Sequence, residues 1–346
     1  KGFAGADTWA TASTLAAAVR YIGDVDLVLC GKQAIDGDTA QVGPELAVRL
    51  GWPLVPYAEA IDLDVGVPDS AGGRLVEVRS MTESGYAVLR TGLPAVITAV
   101  KDVSVPRLPT LPGWARALSE TVHRIGPDEL DLPREEMGLK GSPTRVKKIR
   151  GVVHAKKTEF PDPGDDETIR KVAEILLAAG GDGGRDESRR RDENRRRDSG
   201  GRALDMPSLE TSRETGPIIT VLGEAGADRL NEVSFELCAV ARDLAEARKG
   251  RLFFAVPGCS LEERFAEAEL PGADKYIFIE TGCSGFEANR YAEAAAEWAR
   301  QAAPEILLGP GTLKGRAMMP LVAARLETGL PADCTGLGID PETGLL

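Results

Sequence analysis

The chain has 346 residues, a formal net charge of −12 and 42% hydrophobic residues. This length is enough for two or three ordinary domains, and the apolar content is enough for their cores. The acidic balance disfavours a general nucleic-acid binder. Because no apolar run approaches the ~20 residues of a membrane span, we expect a cytoplasmic protein without one.

The side chains that hold metals or carry out acid–base chemistry are scarce. His123 and His154 are the only histidines, and the five cysteines form no C-x-x-C pair. We therefore predict no metal site, no disulfide framework and no catalytic residues of the Ser/His/Asp or Cys/His type. The cysteines are Cys30, Cys238, Cys259, Cys283 and Cys334.

The most informative segment is a predicted strand, loop and helix at Asp26–Arg49. The apolar run Leu27–Cys30 is typical of a strand buried on both faces. Asp38 has the position of a helix N-cap, and Gln41 follows at the spacing of a capping box, so a helix is expected to begin near Thr39. A glycine-bearing loop between a strand and a free helix N-terminus is how open α/β sheets hold anionic nucleotides.

The helix end cannot hold a nucleotide alone. It contributes about 0.3–1 kcal/mol toward a charged group, whereas micromolar binding requires roughly 8 kcal/mol. Backbone N–H groups, Lys32 and burial of a flat ring must supply the rest. An ordinary capped turn is the alternative interpretation of this loop.

The rest of the first half alternates between predicted strands and irregular segments. Strands are expected at Val55–Leu63, Arg74–Ser80, Gly85–Arg90, Ala95–Val100 and Val146–Val153, and a helix at Glu167–Ala179. The three prolines in Val105–Trp114 predict an extended arm. Gly138–Thr144 is predicted to be irregular.

An arginine-rich segment, Gly180–Arg202, separates the two halves of the chain. Arginine triplets alternate with acids, and almost no apolar residue is present, so the segment cannot bury enough surface to fold. Attachment to nucleic acid or a membrane is one interpretation. We favour a solvated linker.

Strands and helices alternate again after this linker. Strands are predicted at Ile218–Leu222, Leu252–Val256, Tyr276–Ile279 and Glu305–Leu308, with helices at Asn231–Arg248, Phe286–Ala303 and from the Gly309–Arg316 turn to Leu326. Such alternation indicates a mostly parallel sheet. The predicted class is α/β, with two Rossmann-like domains of the adenine-nucleotide-binding type joined by a flexible linker.

Four motifs of the first half resemble the β subunit of electron transfer flavoproteins: Phe3–Leu15, Gly31–Pro44, Pro106–Trp114 and Gly138–Thr144. The second half resembles the N-terminal domain of the α subunit, through Gly309–Arg316, Val322–Leu326 and Thr328–Thr335. The resemblance implies a β-like domain at 1–180, a linker at 181–215 and an α-like domain at 216–346. It also implies that the β part lacks its first strands and the α part lacks its C-terminal FAD domain, so that this stretch of chain is not expected to bind either flavin well.

The resemblance implies a cofactor site at the phosphates of FAD or AMP. Its expected residues are Gly31, Lys32, Gln33, Ala34, Ile35, Asp36, Gly37, Asp38, Thr39, Ala40, Gln41 and Val42, with Gly315 and Arg316 facing them from the α part. An arginine near a helix N-terminus is also suited to meet an anion bidentately. A capping turn with a surface arginine is the alternative for Gly311–Arg316.

Two further positions follow from the resemblance. Leu139 matches the family's docking-loop leucine, which anchors a dehydrogenase, and an ordinary core leucine is the alternative. Leu321 stands where the family usually has arginine, which implies an altered contact with the flavin domain.

The implied function is electron transfer through FAD, a carrier rather than a stand-alone enzyme. The Asp36–Pro44 motif is most similar to electron-bifurcating members, in which NADH reduces a second FAD and electrons part toward ferredoxin and an acyl-CoA dehydrogenase. One alternative is a simple carrier with AMP in the β site, which passes electrons from fatty acid β-oxidation to the electron transfer flavoprotein-quinone oxidoreductase. Two others are an adenylyl-transfer enzyme of similar fold and a nucleotide-binding regulatory module.

Overall fold

The computed structural model describes residues 2–63, 74–146, 169–174, 216–226, 229–261 and 270–339. By their contacts, Lys1–Arg145 and Ser212–Leu346 form one compact unit, and Val146–Thr211 forms another. In the second unit, residues 169–174 are helical, inside the predicted helix Glu167–Ala179. The predicted strand Val146–Val153, beyond its first residue, and the segment Gly180–Arg202 lie outside the described residues, and the boundaries at 180 and 215 stay predictions.

The first half of the larger unit has three helices and five strands among its described residues. They are α1 Thr8–Ile22, β1 Leu27–Gly31, α2 Val42–Leu50, β2 Leu54–Asp62, β3 Leu75–Thr82, β4 Gly85–Gly92, β5 Ala95–Ala99 and α3 Leu111–Ser119, with a short 3-10 turn at Arg134–Glu136. The four strands predicted between residues 55 and 100 are confirmed to within two residues at their ends.

The five strands form one mixed sheet in the order β1-β5-β2-β3-β4. β1, β5 and β2 run parallel, whereas β3 and β4 extend the sheet as antiparallel neighbours. The prediction that Leu27–Cys30 is buried on both faces is wrong for the described sheet, because β1 lies at its edge and Leu29 is 59% exposed. The other face of β1 is covered, since Val28 and Cys30 pack against Ala12, Ala16 and Leu46 of α1 and α2.

The expected arm at Val105–Trp114 is only partly extended, because α3 begins within it at Leu111. Thr110 caps this helix by accepting a hydrogen bond from the N–H of Gly113 at 3.2 Å. Pro112 does not prevent the helix, since a proline in the first turn removes an N–H that has no helical partner.

The second half folds as an all-parallel sheet flanked by helices. Its elements are β6 Ile218–Leu222, α4 Glu232–Ala247, β7 Arg251–Gly258, β8 Lys275–Glu280, α5 Ala288–Ala302, β9 Ile306–Leu308 and α6 Leu313–Arg325. The strand order is β8-β7-β6-β9, with every neighbouring pair parallel. The α/β class predicted from the alternating pattern is confirmed.

The two sheets of the larger unit share one hydrophobic core. Leu54, Tyr57 and Val96 of the first half belong to the same buried cluster as Leu222 and Met318 of the second half. Alanines along α5 allow this close approach, because Ala292, Ala295 and Ala296 are fully buried. Among the helices that the structure describes, none has the length and apolar character needed to cross a membrane.

Candidate functional site

The candidate site begins where β1 ends. The N–H of Lys32 donates to the carbonyl of Ala99 at 2.8 Å, which carries the β1–β5 pairing one residue beyond the strand. The chain then turns through residues 33–38, all exposed, and the N–H of Asp38 donates to the carbonyl of Ala34 at 2.9 Å. The side chain of Gln33 donates to the carboxylate of Asp38 across the base of this turn. The loop is therefore closed by its own hydrogen bonds, with residues 33–38 facing outward.

The predicted capping box is wrong. Helix α2 begins at Val42, and its N-cap residue is Gln41, whose side chain does not cap the helix. Asp38 and Ala40 have φ values of 51° and 55°, which a helix cannot contain. The loop is therefore longer than expected, and the backbone N–H groups that could contact an anion belong to the loop and not to the helix.

Gln41 joins three parts of the molecule instead of capping the helix. It is 3% exposed, its amide nitrogen donates to the carbonyl of Leu330 at 2.8 Å, and its amide oxygen accepts from the Thr8 hydroxyl at 2.8 Å. Leu330 lies just after α6, in the second half of the chain. The loop is therefore tied both to α1 and to the second half.

Glu45, one turn into α2, is a buried carboxyl beside this bridge. Its Oε1 atom lies 3.2 Å from the Thr8 hydroxyl, whose one proton is shared with Gln41, whereas Oε2 has no hydrogen-bond partner. Burial raises the pKa of Glu45 to about 8, and Asp7 also raises it, whereas the bond from Thr8 and the charge of Arg49 lower it. Glu45 is therefore largely protonated near neutral pH.

The N-terminus of α6 faces the loop from the second half. Thr312 caps the helix by accepting from the N–H of Gly315 at 3.0 Å. Arg316, one residue further, donates to the carbonyls of Asp38 and Gly311, each at 3.2 Å, and pairs with the carboxylate of Asp333. Arg316 therefore contacts the Gly31–Val42 loop, and its binding to a cofactor there stays a prediction.

Tyr57 is a residue of this site that sequence reasoning missed. It lies in the first half of β2, next to Ala58, where the pairing of β2 with β5 ends. Its φ is 56°, it is 4% exposed, and its hydroxyl has no hydrogen-bond partner. Burial raises its pKa to about 12, the nearby Arg316 lowers it and Glu83 raises it, so the hydroxyl is a donor at neutral pH. The ammonium of Lys32 lies 5.4 Å from the centroid of the phenol ring. Backbone strain and an unsatisfied buried donor are typical of functional sites.

Glu83, in the hairpin between β3 and β4, lies on another side of the site. Its carboxylate accepts from the N–H of Leu313 at 2.8 Å, which places an anion at the start of α6. Across the residues that the structure describes, no group of three or more His, Cys, Asp or Glu side chains is arranged to hold a metal ion.

Two predicted residues lie apart from the loop. Gly315 packs tightly in its own turn, where a Cβ atom would collide with the carbonyl oxygen of Pro310. Leu139 is half-exposed near the N-terminal segment, and its N–H donates to the carbonyl of Ala4 at 3.2 Å. Its segment is held by Asp7, which accepts from the N–H and hydroxyl of Thr144 at 3.0 and 2.8 Å.

The site consists of a loop that follows a parallel strand, with cations at the carboxyl edge of the sheet. Open α/β proteins bind their ligands at this edge. The chain belongs to the electron transfer flavoprotein family, whose electron transfer flavoprotein domain matches residues 1–129 and 219–346. The resemblance seen in the motifs is thereby confirmed, and the two matched regions are consistent with a fusion of a β part with an α part.

Curated relatives match roughly the first half of the chain. The electron transfer flavoprotein subunit beta of Clostridium acetobutylicum is 41% identical over 148 residues, which are 43% of this chain and 54% of that protein. CarD, a subunit of the caffeyl-CoA reductase-Etf complex of Acetobacterium woodii, is 41% identical over 146 residues, 42% of this chain and 53% of that protein. FixA of Rhizobium meliloti is 34% identical over 183 residues, 51% of this chain and 61% of that protein. The chain thus spans about half the length of the curated relatives it matches.

Proposed function

We propose that this chain is a cytoplasmic electron carrier that holds FAD at the Gly31–Val42 loop and passes electrons between an acyl-CoA dehydrogenase-type flavoenzyme and a redox partner. One observation carries the proposal: three donors meet at this loop, namely Lys32 within it, Tyr57, whose ring lies 5.4 Å from the Lys32 ammonium, and Arg316, which is bonded to Asp38. Three donors from separate elements are suited to the phosphates or ring oxygens of a nucleotide.

Each of these groups has a distinct role in the proposal. Lys32 and Arg316 offset the charge of the phosphates, and the guanidinium does so with planar, directed donors. The Tyr57 hydroxyl donates a hydrogen bond to an oxygen or nitrogen acceptor of the ligand, because its raised pKa keeps it protonated. FAD, when bound, supplies the exchange of one or two electrons, and the protein positions it and adjusts its electrostatic surroundings.

The names of the relatives support a partner that acts on CoA esters. One relative is a subunit of a caffeyl-CoA reductase-Etf complex, and another is named acryloyl-CoA reductase electron transfer subunit gamma. We propose that Leu139, half-exposed on a segment anchored by Asp7, contacts such a flavoenzyme. Electron bifurcation, with NADH as donor and ferredoxin as second acceptor, is the form that the Asp36–Pro44 motif favours.

AMP in the same loop is the second candidate, in which the carrier serves a quinone reductase. AMP shares its phosphate and adenosine with FAD, so Lys32 and Arg316 would serve both ligands. The two ligands differ beyond this phosphate, because AMP ends there and FAD continues to its flavin.

Calorimetric titration of the purified chain with FAD and with AMP tests the proposal. Because the chain spans about half the length of its relatives, weak binding of FAD at one equivalent, with a shift in its visible absorbance, is the expected result. Preferential binding of AMP would select the second candidate. Absence of binding for both ligands at millimolar concentration would reject the nucleotide site.

A further inference from the structure

The second sheet has a cavity of its own at the carboxyl ends of its strands. The chain runs from β6 outward through β7 to β8 and then returns to place β9 on the other side of β6. A crevice outside the strands is expected where the order reverses in this way. A cavity of about 250 Å³ lies there, lined by residues that follow β6 and β9 and by the loop between β8 and α5.

The volume limits what the cavity can accept. Ligand pockets commonly measure about 300–1,000 Å³, and this one is slightly smaller at about 250 Å³. It therefore has room for one nucleoside, and the rest of a longer ligand would extend outside it.

One wall of the cavity suits a flat ring. Phe286 and Tyr291 form an edge-to-face pair with centroids 5.0 Å apart, and Met318 lies beside them in the lining. Aromatic rings and a polarizable thioether are the groups that pack well against a planar heterocycle.

The opposite wall carries a buried carboxylate. Glu224 is 7% exposed, accepts from Asn231 and Thr312, and lies 3.8 Å from the ammonium of Lys314. A carboxylate has about four acceptor positions, so Glu224 can accept a further hydrogen bond from a ligand hydroxyl. Because Lys314 in the same lining already offsets the charge of Glu224, the carboxylate is left as an acceptor for the neutral hydroxyl groups of a sugar.

We infer that this cavity binds the nucleoside portion of a ligand, with the base against Phe286 and Tyr291 and the sugar hydroxyls at Glu224. The site is separate from the Gly31–Val42 loop. The first turn of α6 lies between them, with Lys314 paired to Glu224 on one side and Arg316 bonded to Asp38 on the other.

Gly285 provides a way to fill the cavity without disturbing the fold. It lines the cavity, and a Cβ atom built on it would meet no atom of the chain within 4 Å. A larger side chain at this position should therefore enter open space. Gly272 is a matched control, since its Cβ would also meet nothing within 4 Å and it is not part of the lining.

Calorimetric titration with adenosine, which has a flat base and no phosphate, tests the inference. The unmodified chain and Gly272→Leu should bind one equivalent, and Gly285→Leu should bind at least tenfold more weakly. No binding to the unmodified chain, or equal binding by both leucine variants, would overturn the inference.

A second measurement avoids substitutions altogether. The analogue 2′,3′-dideoxyadenosine lacks the two sugar hydroxyls, so it should bind the unmodified chain about tenfold more weakly than adenosine if Glu224 accepts from them. Equal affinities would overturn the assignment of Glu224 to the sugar. Gly285→Leu separates this site from the Gly31–Val42 loop, because no residue of the loop belongs to the cavity lining.

Discussion

Arg316 of α6 donates to the main-chain oxygen of Asp38 at 3.2 Å, which joins the two halves of the chain at the loop that follows β1. The side chain of Gln41 makes a second connection from the same loop, to the carbonyl of Leu330. The loop is therefore shaped by both sheets, and a nucleotide bound there would lie within reach of residues from both.

Arg316→Gln should weaken nucleotide binding at the loop. A hydrogen bond to a charged partner contributes about 1.5–3 kcal/mol, so we expect at least a tenfold rise in the dissociation constant for FAD or AMP. Calorimetric titration measures it. Arg290→Gln is the control, because Arg290 is an exposed arginine that pairs with Glu287 away from the loop. If the two variants bind nucleotide with equal affinity, Arg316 does not contribute to nucleotide binding.

Tyr57→Phe should stabilise the chain without ligand while weakening its binding of nucleotide. The substitution removes a buried hydroxyl that has no partner, which we expect to raise the free energy of unfolding by about 1 kcal/mol. Loss of a donor to the ligand should raise the dissociation constant by about threefold to tenfold. Urea unfolding and titration measure the two effects.

The control for Tyr57 is Tyr86→Phe, the same chemical change at an exposed tyrosine of β4. It should alter neither quantity. If Tyr57→Phe lowers stability and leaves affinity intact, the hydroxyl has a structural partner and is no part of the nucleotide site.

The sequence predicted the strands well and the site less completely. Ile218–Leu222 matches its predicted ends because the apolar run stops at Gly223. Asp38 and Gln41 had the spacing of a capping box, yet Gln41 bonds Thr8 and Leu330 instead, and those partners come from distant parts of the chain. Local pattern could not distinguish a capping glutamine from a bridging one.

Tyr57 could not be found from the sequence for a related reason. It lies in an apolar run that predicts a strand, where a tyrosine is ordinary. Its significance depends on its positive φ and on Arg316 and Lys32, which belong to other elements. The meeting of Arg316 with the loop, in contrast, was expected because both motifs resembled facing parts of one family.

Asn289→Ala should weaken the packing of the two sheets. Asn289 accepts from the N–H of Leu54 at 3.1 Å and donates to its carbonyl at 2.9 Å. β2 pairs with β3 only from Ala58 onward. At Leu54, the side chain of Asn289 therefore makes the hydrogen bonds that a neighbouring strand would otherwise make. Its removal leaves two backbone groups without these partners, at a cost of about 2 kcal/mol in the free energy of unfolding.

Urea unfolding checks this value against Gln301→Ala, which removes an exposed amide from the same helix, α5. The control should change stability by less than about 0.5 kcal/mol. A similar small change in Asn289→Ala would mean that water or another group replaces the asparagine at Leu54.

Glu45→Gln should change how stability depends on pH. The folded-state pKa of Glu45 is about 8, against an ordinary value of 4.5, so the folded chain holds a proton that the unfolded chain releases. This contribution is complete below about pH 4.5 and is lost as the pH rises toward 8, by at most about 1.4 kcal/mol per pH unit. Glutamine has no such dependence, so the variant should gain stability relative to the unmodified chain between pH 5 and about 8. Urea unfolding at both pH values measures the difference, with the exposed Glu297→Gln as control. A constant difference across this range would show that Glu45 is ionised in the folded chain, with an unrecognised cation or water beside its Oε2 atom.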